Sequence, residues 1–207
     1  MKFKKDVQQV SVLGVYRAVY PDKLYKGDDY FFTEPKSELE FSLEGIVGDR
    51  HVGFEAISGG RGTSLYQRGT SMRNNRQWSA ISPAEIGSVG KKLGVQGSVT
   101  PEVLGINLLL EGIEHLSDLP SMTYMVFSPY DRFVPGRIED VTLVVYAGAI
   151  PCDKSGIGVA LALGDPSLRP RFPAASVGQR GTTGWVEKGG IIRPGHHGFI
   201  LTPRGID

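Results

Sequence analysis

The chain has 207 residues, of which 40% are hydrophobic and 22% are charged, so it can bury a sizeable core and is not expected to be disordered. Its 23 basic and 22 acidic residues give a net charge of +1. This excludes a general electrostatic attraction of the whole chain to nucleic acid or to an anionic membrane. The single cysteine, Cys152, excludes an intrachain disulfide and a cysteine-rich zinc site and is typical of a reducing compartment.

The N-terminus does not have the pattern of a signal peptide. Three lysines lie within the first five residues, but Asp6 and Gln8 follow where an apolar stretch of roughly 7–15 residues is needed. No run approaches the roughly 18 apolar residues of a membrane span. We therefore expect a cytoplasmic, single-domain chain over residues 1–207, with neither a membrane nor a nucleic acid as partner.

The N-terminal part predicts two strands and two loops. In residues 9–20, Val, Tyr and Leu occupy both the odd and the even positions, which indicates a strand that is buried on both faces. Residues 20–35 have the polar, Pro- and Gly-containing composition of a loop, and alternation over residues 39–43 predicts the second strand. Residues 53–70 are glycine-rich without periodicity, which predicts a long loop suited to act as a lid.

A helix is predicted after Ser82. Ser82 is placed to cap it, Pro83 suits the first helical position, and Glu85 can return a hydrogen bond to the cap. Apolar residues follow at helical spacing as far as Gly94, which can take the left-handed conformation that ends a helix.

Short strands separated by turns dominate the rest of the chain. Two glycine-containing turns over residues 185–201 predict two C-terminal hairpins, and a short helix is expected at 155–163. The pattern predicts a mainly β fold, an antiparallel β-barrel with a few short helices. The other strand candidates are residues 78–81, 106–110, 122–127 and 141–146.

Cys152 is the first candidate for chemistry, because it follows the best strand candidate and precedes the predicted helix. The N–H groups of a helix N-terminus and the neighbouring Lys154 would favour the thiolate, which attacks sulfur or binds a soft metal. Asp153 would oppose it. The alternative is an inert, buried thiol with a structural role.

A second candidate is the turn at residues 45–53, which gathers Asp49, Arg50 and His51 between glycines. An Asp can fix a His tautomer and an Arg can bind phosphate through two hydrogen bonds, but a polar turn held by its own side chains is the alternative. Arg76 precedes the strand predicted at 78–81, where it could meet an anionic ligand or be solvated.

Other motifs carry little weight. The glycine run at 59–64 lacks the Gly-Lys-Ser/Thr end of a phosphate loop. His115, His196 and His197 have no further ligand at metal-binding spacing. No serine elbow or dinucleotide fingerprint is present, so standard hydrolases and dehydrogenases gain no support.

Three elements in this order resemble the MOSC family, the domain named after the C-terminal part of molybdenum-cofactor sulfurase. Residues 45–51 are similar to the family's early G-x-x-G-D-x-H turn, and residues 76–112 to its central segment. Pro151-Cys152 is similar to the family's Pro-Cys, which contains a single functional cysteine. Closing turns at 180–195 extend the resemblance to residues 10–202 or so.

The resemblance implies a β-barrel with Cys152 as its catalytic residue, either carrying a persulfide or ligating the molybdenum of a molybdenum-pterin cofactor. It also implies that His51, Arg76 and Asn107 line the same pocket and bind the cofactor. Lys154 joins them as a cofactor-binding candidate, because basic residues would hold the phosphate. Ile106 stands where the family usually has Glu, which removes a carboxylate from the expected pocket.

Three functions remain open from the sequence. A sulfur carrier would accept sulfane sulfur on Cys152 from a cysteine desulfurase. A molybdenum-dependent reductase of N-hydroxylated compounds would need a partner electron-transfer protein, because no flavin or iron–sulfur motif is present. A non-catalytic β-barrel module would bind a small anion or a partner and keep Cys152 as a structural residue. The sequence therefore leaves open whether the chain is an enzyme.

Overall fold

The computed structural model describes residues 7–19, 31–59 and 65–203. Within these ranges the chain forms thirteen strands, four α-helices and one 3₁₀ turn. The helices are α1 (Pro83–Leu93), α2 (Pro101–Leu104), α3 (Asp153–Ala162) and α4 (Leu168–Ser176), and the 3₁₀ turn is Leu116–Asp118. The strands are β1 (Gln8–Ala18), β2 (Thr33–Lys36), β3 (Leu39–Ser42), β4 (Gly45–Ile46), β5 (Glu55–Ile57), β6 (Ser71–Arg73), β7 (Trp78–Ile81), β8 (Leu108–Glu111), β9 (Tyr124–Ser128), β10 (Val141–Gly148), β11 (Thr182–Lys188), β12 (Gly190–Ile192) and β13 (His197–Leu201).

Seven of these strands form a closed barrel. Their hydrogen-bonded order is β13, β9, β10, β11, β7, β8 and β1, and pairing of β1 with β13 closes the ring. The pairs are antiparallel except for β7 with β8, which is parallel. The predicted fold class, a mainly β antiparallel barrel with a few short helices, is confirmed, with one parallel pair added.

The predicted C-terminal hairpins are wrong. The strands β11, β12 and β13 follow one another closely, but β11 pairs with β10 and β7, β12 pairs with β3, and β13 pairs with β9 and β1. Glycine- and proline-containing turns stop each strand locally. The partner of each strand is chosen instead by long-range pairing around the barrel.

Two predicted loops contain strands. Residues 33–36 form β2, an edge strand on β1, where the missing N–H of Pro35 costs no ladder bond. The predicted loop at 53–70 begins a two-stranded ribbon, because β5 pairs with β6 immediately beyond it. Residues 20–30 and 60–64 of these loops lie outside the described residues.

Two apolar clusters hold the elements together. The first fills the barrel and includes the fully buried Trp78 and Phe127. The second lies where the helices pack on the barrel and includes Ile81, Leu104 and Phe172. Burying a side chain such as Phe172 contributes about 1.5–3 kcal/mol, so this second cluster anchors α3 and α4. No helix within the described ranges is long and apolar enough to cross a membrane.

The predicted helix after Ser82 is confirmed as α1. The Ser82 hydroxyl accepts a hydrogen bond from the Glu85 N–H at 3.1 Å, and the Glu85 carboxylate accepts one from the Ser82 N–H at 3.1 Å. Gly94 ends the helix with φ of 79°. Both caps are local interactions between residues close in sequence, which is why the sequence pattern predicts them.

Replacing Ser82 by alanine is expected to lower the free energy of unfolding by about 1–2 kcal/mol. Ser82 is fully buried, and its hydroxyl also donates to the Glu114 carbonyl at 2.5 Å, so both partners lose a buried hydrogen bond. Urea denaturation measures the loss. Thr100→Ala is the matched control, because its cap contact on α2 is 3.5 Å long and should cost under about 0.5 kcal/mol. Equal losses of unfolding free energy in the two variants would contradict the assignment of Ser82 as the stabilising cap of α1.

Candidate functional site

A small pocket lies where β7, the segment before β8 and the loop after β10 meet. Its volume is about 40 Å³. Four of the five predicted site residues line it: His51, Arg76, Asn107 and Cys152. Among the described lining residues Lys154 is absent; it lies exposed in the first turn of α3. The other lining residues are Phe31, Trp78, Ser79, Leu104, Gly105, Ile106, Ala149, Ile150, Ser155, Arg180 and Thr183.

Cys152 is the N-cap residue of α3, with extended backbone angles (φ −140°, ψ 166°). Its carbonyl accepts hydrogen bonds from the N–H groups of Ser155 (3.1 Å) and Gly156 (3.2 Å), but its side chain does not cap the helix. Instead Sγ lies 3.2 Å from Oγ of the buried Ser155. The positive end of the helix dipole and the serine hydroxyl both stabilise a thiolate here.

The packing of α3 against α4 fixes this helix N-terminus. A Cβ on Gly156 would lie 2.5 Å from the Arg169 carbonyl oxygen, so only glycine allows the two helices to approach this closely. Arg169 in turn donates two hydrogen bonds to Asp153, at 2.8 and 3.1 Å, and this contact lowers the pKa of Asp153. The expected opposition of Asp153 to the thiolate is thereby weakened, because its charge is paired with that of Arg169.

Asp49 joins three segments behind the pocket. Its carboxylate, 1% exposed, accepts hydrogen bonds from the N–H of Ala18 (3.0 Å) and the N–H of His51 (3.0 Å). It also lies 3.2 Å from Nδ1 of His51 and 3.2 Å from Nδ2 of Asn107. Gly48, with φ of 75°, allows the tight turn that brings Asp49 to this position.

The Asp49 carboxylate also determines which ring nitrogen carries the proton when His51 is neutral. Burial alone would raise the pKa of Asp49, but the hydrogen bond and charge of His51 and the backbone N–H groups of Ala18 and His51 outweigh it and lower that pKa below its ordinary value. A carboxylate can only accept hydrogen bonds, so in the neutral form of His51 the ring proton lies on Nδ1 and Nε2 carries the lone pair. His51 therefore has the tautomer of a proton acceptor.

Asn107 braces the pocket. Its Oδ1 accepts from the N–H (3.1 Å) and hydroxyl (3.0 Å) of Ser79, while its Nδ2 donates to the Tyr16 carbonyl (3.1 Å) and to Asp49. These four bonds use the full capacity of the amide, so its action on a ligand is through positioning. The preceding Ile106 is 1% exposed in the second apolar cluster, where a carboxylate would be costly.

Arg180 is a pocket residue that the sequence reasoning missed. It is 8% exposed, donates to the Leu104 carbonyl at 3.1 Å and lies with its guanidinium carbon 5.7 Å from the centre of the Phe172 ring. Together with Arg76 it brings a second guanidinium to the pocket. The only local signal is an arginine just before a glycine, where the closing turns at 180–195 begin.

The remaining histidines lie away from this pocket. His197 Nδ1 is 3.2 Å from Gln9 Nε2, and burial, Arg193 and His197 lower the pKa of His196 below its ordinary value. His115 precedes the 3₁₀ turn. Within residues 7–19, 31–59 and 65–203, no three His, Cys, Asp or Glu side chains are grouped for a metal ion.

Residues 67–197, more than half of the chain, match the family model of the MOSC domain. The chain belongs to the MOSC domain family. A relative in Bacillus subtilis (strain 168), named "Putative metal-sulfur cluster biosynthesis proteins YuaD", is 29% identical over 166 residues, which cover 80% of each chain. The resemblance inferred from the residues is confirmed.

Solved structures share the MOSC fold. A crystal structure of the YUAD protein from Bacillus subtilis matches with a TM-score of 0.82 and 25% identity, covering 98% of this chain and 100% of that one. A crystal structure of YiiM from Escherichia coli matches with a TM-score of 0.52 and 14% identity, over 95% of this chain and 72% of that one. The YiiM likeness is one of fold alone.

Proposed function

We propose that this chain is a sulfur carrier that holds sulfane sulfur as a persulfide on Cys152. The observation that carries the proposal is the position of Cys152: it occupies a helix N-cap without a capping bond from its side chain, and it lines a pocket. A residue retained at an N-cap for stability would be Ser, Thr, Asp or Asn. The name of the Bacillus relative, which refers to metal-sulfur cluster biosynthesis, supports the same class of chemistry.

Sulfur loading needs only a nucleophilic thiolate. The Cys152 thiolate attacks the terminal sulfur of a donor persulfide R–S–SH, a Cys152–S–SH bond forms, and the donor leaves as R–S⁻. Sulfur passes between two thiols, so no external oxidant or reductant is consumed. A cysteine desulfurase is one source of such a donor. The α3 dipole and the Ser155 hydroxyl stabilise the attacking thiolate.

His51 acts as the general base when sulfur is transferred from Cys152 to an acceptor thiol. The acceptor thiol must lose its proton before it attacks the terminal sulfur of Cys152–S–SH, and Nε2 of His51 accepts that proton. The new persulfide forms on the acceptor, Cys152 leaves as thiolate, and His51 releases the proton to solvent. Asp49 holds the His51 ring in this tautomer and therefore acts as a positioning residue.

A molybdenum-pterin cofactor is the second group that this donor set suits. Cys152 would ligate the molybdenum as a soft thiolate, and Arg76 and Arg180 would hold the phosphate. When bound, the cofactor supplies the redox chemistry needed to reduce an N-hydroxylated compound, with electrons from a partner protein. The pocket of about 40 Å³ has room for about three water-sized groups. A persulfide adds a single sulfur atom, which this volume accommodates.

The proposal is tested by loading the purified chain with inorganic polysulfide and then releasing the sulfane sulfur with cyanide as thiocyanate. We expect one equivalent of thiocyanate per chain. Replacing His51 by glutamine is expected to leave this loading intact but to slow sulfur transfer to dithiothreitol about 100-fold near pH 7. The defect should shrink as the pH rises toward the pKa of the acceptor thiol, since the thiol then ionises without His51.

The matched control is His115→Gln, because His115 lies outside the pocket. This variant should transfer sulfur at the wild-type rate. A wild-type chain that releases no thiocyanate would contradict the sulfur-carrier proposal. Transfer by His51→Gln at the wild-type rate would contradict only the role of His51.

A further inference from the structure

A second cavity, of about 300 Å³, shares His51 with the thiol pocket. It is lined by Arg50 from the turn after β4, by Glu55, Ala56 and Ile57 of β5, and by Asn74 from the segment after β6. A volume of this size admits a small organic molecule. Because His51 lines both cavities, a ligand in the larger one would lie beside a residue that also lines the pocket of Cys152.

Opposite charges line this larger cavity. The Arg50 guanidinium carbon lies 5.6 Å from the centre of the Phe31 ring, a cation–π contact that limits where the cation can point. The Glu55 carboxylate accepts a hydrogen bond from the Ser71 hydroxyl at 2.6 Å, across the β5–β6 ribbon. Ala56 and Ile57 add apolar surface to the lining. This set matches a small zwitterion that has an apolar side chain.

Asn74 fixes the cavity wall. Its Nδ2 donates to the carbonyls of His51 (2.7 Å) and Gly53 (2.9 Å), and its Oδ1 accepts from the N–H of Arg76 at 3.1 Å. One buried side chain thus ties the turn that carries His51 to the segment that carries Arg76. These hydrogen bonds therefore hold together a wall that the two cavities share.

We propose that the larger cavity binds the sulfur donor as a zwitterionic α-amino acid that bears a persulfide. Arg50 binds its carboxylate, Glu55 binds its ammonium group, and the side chain extends past His51 toward Cys152. The Cys152 thiolate attacks the terminal sulfur, the donor's S–S bond breaks, and the amino acid leaves as its thiolate, so atoms and electrons balance. This inference rests on the proposed function and names the chemical class of its donor.

The test uses isothermal titration calorimetry of S-methyl-L-cysteine, an unreactive probe, into the Cys152→Ser protein. We expect saturable binding that weakens at least about tenfold in Arg50→Gln and in Glu55→Gln, because each loses a charge-assisted hydrogen bond. Methylthiopropionate is the same molecule without its ammonium group. It should bind with the same affinity to the Cys152→Ser protein and to the Cys152→Ser protein that also has Glu55→Gln. Arg132→Gln is the matched control, since Arg132 is exposed and lines neither cavity.

Absence of saturable binding, or binding that neither variant weakens, would overturn the donor site. The polysulfide assay separates this failure from failure of the proposed function. A chain that loads polysulfide on Cys152 but does not bind S-methyl-L-cysteine would be supplied by another donor, such as a protein-bound persulfide. A chain that binds the probe but cannot load Cys152 would overturn the donor role together with the sulfur carrier.

Discussion

Replacing Cys152 by serine is expected to reduce sulfur loading to background while leaving the protein as stable as the wild type or more so. Serine cannot form a persulfide, so the loss of loading is complete. The Cys152 side chain makes no capping bond, whereas a serine hydroxyl at the same N-cap can accept one from the first turn of α3. Such a cap contributes about 0.5–1 kcal/mol. Cyanide-released thiocyanate and urea denaturation measure the two effects.

This opposite response of activity and stability separates a functional thiol from a structural one. If Cys152 were a structural residue, its replacement would lower the free energy of unfolding and leave sulfur loading unaffected. A Cys152→Ser chain that loads sulfur like the wild type would therefore contradict the account. Ser155→Ala is a useful companion variant, because it removes the hydroxyl 3.2 Å from Sγ and keeps the thiol. It should still load sulfur, but more slowly.

Replacing Asp49 by alanine is expected to lower the free energy of unfolding by about 3–5 kcal/mol. The change leaves the N–H groups of Ala18 and His51 and the amide of Asn107 without their buried acceptor. For a chain of this size the melting temperature should fall by about 10 °C. Asp131→Ala, at an exposed carboxylate, is the matched control and should change stability by under about 0.5 kcal/mol.

The contribution of Asp49 should also depend on pH. Its pKa is lowered in the folded chain, so the folded state favours the charged carboxylate more than the unfolded state does. The resulting stability is present above the unfolded pKa of about 4 and is lost as the pH falls through the folded pKa. The stability difference between wild type and Asp49→Asn should therefore narrow below about pH 4. A difference that stays constant from pH 6 to pH 3 would contradict the role of this carboxylate.

Local patterns predicted the elements that carry the site. The caps of α1 depend on residues three or four apart, so they can be recognised from the sequence alone. The helix expected at 155–163 is α3, which begins two residues earlier, at Asp153. The α4 helix was missed because it contains Pro170 and Pro173. Pro170 lies in the first turn, where helix N–H groups need no intrahelical partner, and packing of Phe172 supports the rest.

Long-range pairing decided what the sequence could not show. The family resemblance predicted that one pocket would contain His51, Arg76, Asn107 and Cys152. The role of Asn107 as a brace could not be predicted, because it depends on partners up to 91 residues away in the sequence. Arg180 reaches the pocket because β11 pairs with β7, and no local motif reports that pairing. Lys154 adjoins Cys152 in sequence, but the helix turn carries it to the exposed side.

The most direct test of the sulfur carrier is the intact mass of freshly purified protein, measured under non-denaturing conditions without reductant beside a Cys152→Ala control. We predict a wild-type species heavier by one sulfur atom, which dithiothreitol removes and the variant lacks. An added sulfur that persists in Cys152→Ala would contradict the account. A wild-type chain that keeps its sequence mass even after polysulfide treatment, or one that carries a molybdenum-pterin mass through Cys152 instead, would also contradict it.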